Sequence, residues 1–135
     1  MNRSILCLFD SDLAVERLKS SLGPTCRVTA VSTVLGALQE LKKLTPDLVI
    51  VQVGLRDESC FDFLKAAQPV AVKKNVPMVA VSVEDAYHDS IETFIAKSCQ
   101  FFGCKCYLRY ADFSSDALRF VLVKKIRESG FSAAC

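Results

Sequence analysis

The sequence predicts one α/β domain built on a five-stranded parallel sheet, and three observations lead to this prediction. Five apolar strand-like runs alternate with five segments whose apolar residues recur at helical spacing. The connections are only a few residues long, which implies right-handed crossovers with helices on both faces of the sheet. The run 48–53 is apolar except for Gln52, as is typical of a central parallel strand. We therefore expect a doubly wound (βα)5 sandwich with strand order 2-1-3-4-5.

Two helices separate the first three strands. Asp12 is predicted to cap the first helix and Ser32 the second, because short polar side chains accept hydrogen bonds from the first turn. Gly23 and Pro46 mark the helix ends, because neither residue continues a helix easily. The predicted strands are 4–9, 26–31 and 48–53, and the predicted helices are 12–22 and the segment between Ser32 and Thr45.

The second half of the chain supplies two strands and three helices. Ser59 is predicted to open the third helix, and Pro69 is predicted to end it. Gly103 is predicted to end the fourth helix. In the fourth helix Ile91, Phe94, Ile95 and Ser98 are expected to lie on one stripe. The predicted strands are 76–83 and 105–110, and the last two predicted helices are 85–102 and 113–127.

Size and charge limit the classes of function. The chain has 135 residues, which predicts one domain over 1–128 and a tail over 129–135. The net charge of +2 is too small to indicate a nucleic-acid partner. No apolar run reaches the ~20 residues that a membrane span needs, and no secretory signal is visible. We expect a soluble, cytoplasmic protein.

The seven cysteines are an odd number, and several of them lie in apolar runs. A reduced thiol behaves there as a small apolar group, so we expect reduced cysteines. A metal or redox site made of Cys99, Cys104 and Cys106 is the alternative. It is disfavoured because neighbouring strand residues point in opposite directions and the chain has one histidine.

Polar side chains stand at three strand ends. Asp10 follows the first strand, Gln52 is near the end of the third, and Ser82 is near the end of the fourth. In the predicted order the first, third and fourth strands are neighbours. These three side chains are therefore expected to face one another at the crevice of the sheet.

Four segments together resemble the receiver domain of response regulators, the CheY-like module of two-component signalling. The segments are Ile-Leu-Cys-Leu-Phe-Asp-Ser-Asp at 5–12, Pro-Asp-Leu-Val-Ile-Val-Gln at 46–52, Val-Ala-Val-Ser at 79–82 and Tyr-Leu-Arg-Tyr at 107–110. They resemble, in order, the acidic first turn, the strand before the phosphoryl acceptor, the strand with the switch hydroxyl, and the strand with the switch aromatic. The resemblance covers about residues 4–127 and implies the flavodoxin-like fold.

The resemblance also assigns roles at the acidic end of the pocket. Asp10 matches the first acid of the metal-binding pair. Ser11 replaces the second acid, and Asp12 follows as a partial substitute. Gln52 stands at the phosphoryl-acceptor position, where an amide cannot do what a carboxylate does.

The remaining matches lie on the later strands. Ser82 matches the switch hydroxyl, and Tyr107 matches the switch aromatic. Tyr110 falls on the position of the family's lysine, with Arg109 one residue away and directed to the opposite face of its strand. The alternatives are a strand-end hydroxyl bonded to backbone for Ser82 and an ordinary edge-strand aromatic for Tyr107.

Together these departures predict a pocket that no longer performs the family's chemistry. Phosphoryl transfer needs a nucleophile, a divalent cation and a positive charge near the transferred group. Only Asp10 remains as a candidate ligand for magnesium, so we expect no bound metal, no cofactor and no enzymatic activity. We therefore predict a pseudo-receiver, a signalling module that binds protein partners without phosphorylation.

The receiver resemblance places partner binding on the face formed by the fourth helix, the fifth strand and the fifth helix. Seven aromatic residues lie within 27 residues there, and protein interfaces favour aromatics. We expect protein partners or a homodimer, with no nucleic acid and no membrane. The predicted interface residues are Phe101, Phe102, Arg109, Tyr110 and Phe113.

Three other functions are considered. One is a genuine phosphorelay receiver with an atypical site. Another is the amino-terminal regulatory segment of a larger signalling protein, such as a cyclic-nucleotide phosphodiesterase. A flavin enzyme on the same scaffold is disfavoured, because the first turn, Asp10-Ser11-Asp12, is acidic where a phosphate needs glycine and N–H donors.

Overall fold

A computed structural model describes residues 3–83 and 89–126 of the chain. Five strands and five helices alternate along it, and a 3-10 turn precedes the last helix. The strands are β1 (Arg3–Leu8), β2 (Cys26–Val31), β3 (Leu48–Val53), β4 (Met78–Ser82) and β5 (Cys104–Arg109). The helices are α1 (Asp12–Leu22), α2 (Val34–Lys43), α3 (Cys60–Lys74), α4 (Asp89–Phe101) and α5 (Ser115–Lys125), with the 3-10 turn at Tyr110–Asp112.

The five strands form one parallel sheet in the order β2-β1-β3-β4-β5. The predicted fold class and strand order are confirmed. Every residue of β3 and β4 is buried, because these inner strands are covered on both faces. By contrast, β2 and β5 are edge strands, and their residues are mostly half-buried or exposed.

Two apolar clusters lie on opposite faces of the sheet. One packs β-strand side chains against α2, α3 and α4, with Phe63 and Leu64 at its centre. The other packs the sheet against α1 and α5, with Leu18 and Leu118 fully buried. Burying a side chain of this size stabilises the fold by about 1.5–3 kcal/mol. Packing on both faces fixes the strands, and the ends of these strands position the candidate site.

Two predicted helix caps are wrong by one residue. Ser11, rather than Asp12, caps α1, since its hydroxyl oxygen accepts a hydrogen bond from the N–H of Ala14 at 3.2 Å. Asp12 instead lies in the first turn, where its charge suits the helix dipole. In the same way Thr33, rather than Ser32, caps α2 through the N–H of Gly36.

The prediction that Pro69 ends the third helix is also wrong. Helix α3 continues through Pro69 to Lys74 and ends at Asn75, whose φ of 58° is left-handed. Proline removes one intrahelical hydrogen bond. The apolar face of α3, which includes Ala67 and Ala71, packs into the core on both sides of the proline and maintains the helix.

The outer elements differ from prediction in their bounds. The predicted start of the fourth helix at residue 85 lies outside the described residues. Strand β5 ends at Arg109, so Tyr110 belongs to the 3-10 turn, and α5 begins two residues later than predicted. No helix within residues 3–83 and 89–126 is long and apolar enough to cross a membrane.

Candidate functional site

The carboxyl ends of the three central strands meet at one edge of the sheet. Asp10 follows β1, Gln52 lies in β3, and Ser82 ends β4. In the parallel register Gln52 is opposite Val81, and Val53 is opposite Ser82. The edge is therefore the crevice in which an open α/β sheet carries its functional groups.

Asp10 and Gln52 form a closed hydrogen-bonded pair at this edge. The Oε1 atom of Gln52 accepts from the backbone N–H of Asp10 at 3.0 Å, and its Nε2 atom donates to Oδ1 of Asp10 at 2.8 Å. Only 2% of Gln52 is exposed, so both ends of the amide need partners and both ends have one. The pair fixes the end of β1 to the end of β3.

The second carboxylate oxygen of Asp10 is also engaged. Oδ2 accepts a hydrogen bond from the backbone N–H of Arg56 at 2.6 Å, in the loop that follows β3. The loop turns back at Gly54, whose φ of 80° favours glycine. The contact to Arg56 was not predicted, and Gly54 is the sequence signal that marks the turn. N–H donors thus contact both oxygens of Asp10.

The donor set at this edge does not fit a divalent cation. Magnesium takes oxygen ligands, usually from one or two carboxylates in addition to water and phosphate. The carboxylate that the described residues bring to Gln52 is that of Asp10, and both of its oxygens accept N–H bonds. Within the described part of the chain, no three His, Cys, Asp or Glu side chains group together as a metal site requires.

Ser11 and Asp12, the next two residues after Asp10, lie at the start of α1. The Ser11 hydroxyl serves as the cap of α1, and Asp12 is exposed on the first turn of that helix.

Ser82 is fully buried at the end of β4. Its hydroxyl makes no hydrogen bond with any residue that the structure describes. The alternative, a Ser82 hydroxyl bonded to backbone, therefore finds no partner in the described part of the chain. An unsatisfied buried hydroxyl carries a free-energy penalty of about 1–3 kcal/mol.

Tyr107 and Tyr110 lie on opposite faces of the sheet. Tyr107 is half-buried and packs against the cluster under α3 and α4. Tyr110 is 2% exposed and packs edge-on against Phe9, with ring centroids 6.1 Å apart. The guanidinium of Arg17 lies over the Tyr110 ring at 5.0 Å. Burial raises the pKa of Tyr110 well above its ordinary value of 10.0.

Tyr110 therefore does not serve as an exposed interface residue, and that part of the prediction is wrong. The reason is geometric: the 3-10 turn directs the ring beneath α1 and α5 rather than outward. Arg17 of α1 also donates a hydrogen bond to the backbone oxygen of Phe113, which fixes this turn to α1.

Arg109 is the last residue of β5, and its side chain is partly exposed. Its Nε and Nη2 atoms donate to the two carboxylate oxygens of Asp112, both at 2.9 Å, and Nη1 lies 3.8 Å from Glu92. The hydrogen bond to Asp112 is the main reason that the pKa of Arg109 is raised. The carboxylates of Asp112 and Glu92, rather than Asp10 and Gln52, therefore hold this guanidinium.

Helix α4 presents apolar side chains to solvent. Ile91, Phe94 and Phe101 are 49%, 68% and 78% exposed, and we call these three residues the α4 stripe. Of the stripe predicted on this helix, Ile95 is buried, whereas Ile91 and Phe94 are exposed. Ile95 and Cys99 are the residues of α4 that face the core. Helical periodicity identified an apolar stripe but not which of two neighbouring apolar stripes is buried.

The other aromatic residues of this face differ in exposure. Phe120 of α5 is 62% exposed, and the amine of Lys124 lies over its ring at 4.5 Å. Phe102 and Phe113 are half-buried. Phe102 contacts Phe101 and Phe61, with ring centroids 5.2 and 5.9 Å away. The exposed aromatic surface therefore lies mainly on α4 and α5.

Comparisons with known proteins agree with this architecture. No protein-family model matches the chain, and no curated protein matches it. Among solved structures, the chemotaxis response regulator CheY4 of Vibrio cholerae superposes with a TM-score of 0.75 at 18% identity, covering 92% of this chain and 98% of that one.

Two further structures show the same likeness. A CheY-like response regulator receiver domain protein from Methanospirillum hungatei has a TM-score of 0.70 at 15% identity, over 93% of this chain and 94% of that one. The BeF3-activated DrrB receiver domain has a TM-score of 0.71 at 14% identity, over 92% and 97%. The chain therefore has the fold of the CheY-like receiver domains of response regulators.

Proposed function

We propose that this protein is a pseudo-receiver, a domain of the receiver family that acts in cytoplasmic signal transduction by binding proteins without being phosphorylated. The hydrogen-bonded pair of Asp10 and Gln52 is the observation on which the proposal rests. The pair occupies the edge of the sheet at which a receiver domain carries its phosphoryl acceptor. The six described cysteines are free thiols, which suits a reducing compartment.

Phosphoryl transfer needs a nucleophile, a bound cation and a positive side chain, and the described residues at this edge supply none of the three. Gln52 replaces the nucleophile with a neutral amide that does not titrate. Both oxygens of Asp10, the candidate metal ligand within residues 3–83 and 89–126, accept hydrogen bonds from protein N–H groups. Arg109 is bound to Asp112, and Tyr110 is a buried phenol. The receiver fold is kept while these three parts of the reaction are lost.

The partner-binding face is assigned to α4, β5 and α5. The α4 stripe and Phe120 provide exposed aromatic and aliphatic surface, and β5 is the open edge of the sheet. Contiguous apolar surface on a small domain is typical of an interaction site. Phe101, Phe102, Arg109 and Phe113 remain in the proposed interface, whereas the buried Tyr110 does not.

Incubation with acetyl phosphate and Mg²⁺, followed by intact mass measurement, tests the loss of phosphorylation. We expect no added phosphoryl group. An added phosphoryl mass that is lost at alkaline pH would instead establish a genuine receiver with an atypical acceptor.

Alanine at Phe94 and Phe101 tests the face. We expect the double variant to lose its protein partner, or its self-association in sedimentation, while it stays folded. Val72→Ala is the matched control, because Val72 is 72% exposed on α3, away from this face. If the Val72 variant and the double variant bind alike, the face has been assigned wrongly.

A further inference from the structure

Three cysteine thiols converge in the core beneath the carboxyl end of α4. Cys60 is the first residue of α3, Cys99 lies in the last turn of α4, and Cys104 is the first residue of β5. They are 3%, 0% and 5% exposed, and all three belong to one apolar cluster. The proposed receiver function uses none of them.

The end of α4 explains why Cys99 and Cys104 touch. Gly103 has a φ of 99°, and its N–H donates to the backbone oxygen of Gln100 at 3.0 Å. With Phe102 as the cap, a helix that ends in this way brings the residue three positions before the cap against the residue two positions after it. Those residues are Cys99 and Cys104, and the Cys104 thiol donates a hydrogen bond to the Cys99 sulfur.

Cys106 does not belong to this group. Cys104 faces the cluster under α3 and α4, whereas Cys106 packs against the opposite cluster. The alternation of side chains along β5 separates them. A three-cysteine site made of Cys99, Cys104 and Cys106 is therefore contradicted.

The hydrogen bond makes the two thiols unequal. Accepting the Cys104 S–H lowers the pKa of Cys99. The same bond, together with burial, raises the pKa of Cys104. Burial raises the pKa values of Cys7 and Cys60 to about 12. Since the thiolate is the reactive form, Cys99 is the more nucleophilic thiol of the pair.

We propose that Cys99 and Cys104 are a redox-active dithiol that hydrogen peroxide or an alkyl hydroperoxide converts to a disulfide. The Cys99 thiolate attacks the peroxide, so that an S–O bond forms, the O–O bond breaks, and water or alcohol leaves after protonation. Cys104 then attacks the Cys99 sulfur, the S–S bond forms, and the sulfenic oxygen leaves as water. Two thiols lose two protons and two electrons in total, and one peroxide is reduced.

The pair is arranged for the second step. Once the Cys99 sulfur carries a neutral sulfenic group, the negative charge that held the proton on Cys104 is gone. Cys104 therefore becomes easier to deprotonate at the moment when it must attack. Both residues are buried, so peroxide, a small uncharged molecule, must reach them through local opening of the last turn of α4.

A peptide map of the intact protein tests the proposal. After peroxide treatment, free thiols are blocked in denaturant, and the protein is digested with trypsin. Cleavage after Lys97 and Lys105 leaves both cysteines on the single peptide 98–105, whereas Cys60 is on peptide 57–65. We expect peptide 98–105 to lose two hydrogens, carry no blocking group and revert with dithiothreitol.

Variants assign the roles of the two sulfurs. In Cys104→Ala the sulfenic acid of Cys99 should persist and react with dimedone, and in Cys99→Ala thiol loss at this peptide should slow by roughly tenfold or more. Cys106→Ala and Cys60→Ala are controls that should leave the intrapeptide disulfide intact. A disulfide that joins peptides 57–65 and 98–105 would overturn the proposal. So would an unmodified Cys99 at a peroxide dose that oxidises the half-buried Cys26.

Discussion

Gln52 decides the chemistry of the strand-end edge at the scale of single residues. Its amide both accepts from and donates to Asp10, which no carboxylate at that position does. The sequence predicted that Asp10 and Gln52 would meet, because parallel strand ends converge. It did not predict the hydrogen-bonded pair or the contact to Arg56, because both depend on side-chain rotamers and on the path of the loop.

Gln52→Glu is expected to lower the free energy of unfolding by about 1–3 kcal/mol at neutral pH, because a second carboxylate then faces Oδ1 of Asp10. The like charge raises the folded-state pKa of the new Glu above its unfolded value. The penalty is therefore full at neutral pH and disappears as the pH falls below about 4. Urea denaturation at several pH values measures this change.

Gln39→Glu is the matched control, because Gln39 is exposed on α2. Its effect should stay within about 0.5 kcal/mol. An equal effect of the two variants would show that Gln52 does not depend on its pairing with Asp10.

Tyr110 gives a second prediction at this scale. Its hydroxyl is buried without a hydrogen bond to any described residue, so Tyr110→Phe should leave stability unchanged or raise it by about 1 kcal/mol. Tyr110→Ala should cost about 3–5 kcal/mol, because the contacts of the ring with Phe9 and Arg17 are lost. Urea midpoints compare the two variants. If Tyr110→Phe lost as much stability as Tyr110→Ala, the Tyr110 hydroxyl would have to make a stabilising hydrogen bond, which would contradict this prediction.

Alkaline pH separates the two forms of residue 110. The folded state raises the pKa of Tyr110 above its ordinary value of 10.0, so it favours the neutral phenol. The contribution of the neutral Tyr110 phenol to the free energy of unfolding is therefore complete below pH 10.0 and is lost as the pH rises above that value. Tyr110→Phe should therefore lose less stability than the wild type above that pH, as measured by urea midpoints below and above it.

At the scale of elements, the sequence predicted the number, type and order of the strands and helices. The caps of α1 and α2 were wrong by one residue, because Ser11 and Thr33 compete with the adjacent polar residues Asp12 and Ser32 for that position. The apolar residues of α4 were predicted, but the side of the helix that is buried was not. Two apolar stripes lie side by side on this helix, and only packing against β5 decides between them.

Helix α3 provides the test at this scale. Pro69→Ala restores a backbone N–H inside the helix and should raise the free energy of unfolding by about 1–3 kcal/mol. Pro24→Ala is the control, because Pro24 is exposed in the turn between α1 and β2, and its effect should stay below about 1 kcal/mol. Thermal and urea unfolding would both report the difference. A destabilised Pro69→Ala would mean that the proline is needed for the packing of α3.

At the scale of the whole molecule, topology was the most predictable feature. Short connections between parallel strands leave few arrangements, and the order 2-1-3-4-5 places Asp10, Gln52 and Ser82 at one edge. The buried apolar residues of the strands, rather than the polar residues at this edge, build the sheet. The α4 stripe is part of the surface that stays exposed on this fold.

The central claim is that this edge of the sheet no longer receives a phosphoryl group. Titration of the isotopically labelled protein with beryllofluoride and Mg²⁺, followed by amide NMR, tests it most directly, because beryllofluoride mimics a phosphoryl group on a carboxylate. If no phosphoryl group binds here, the amide signals of Asp10, Gln52 and Arg56 stay where they are up to millimolar ligand. Saturable shifts of these three signals would contradict it.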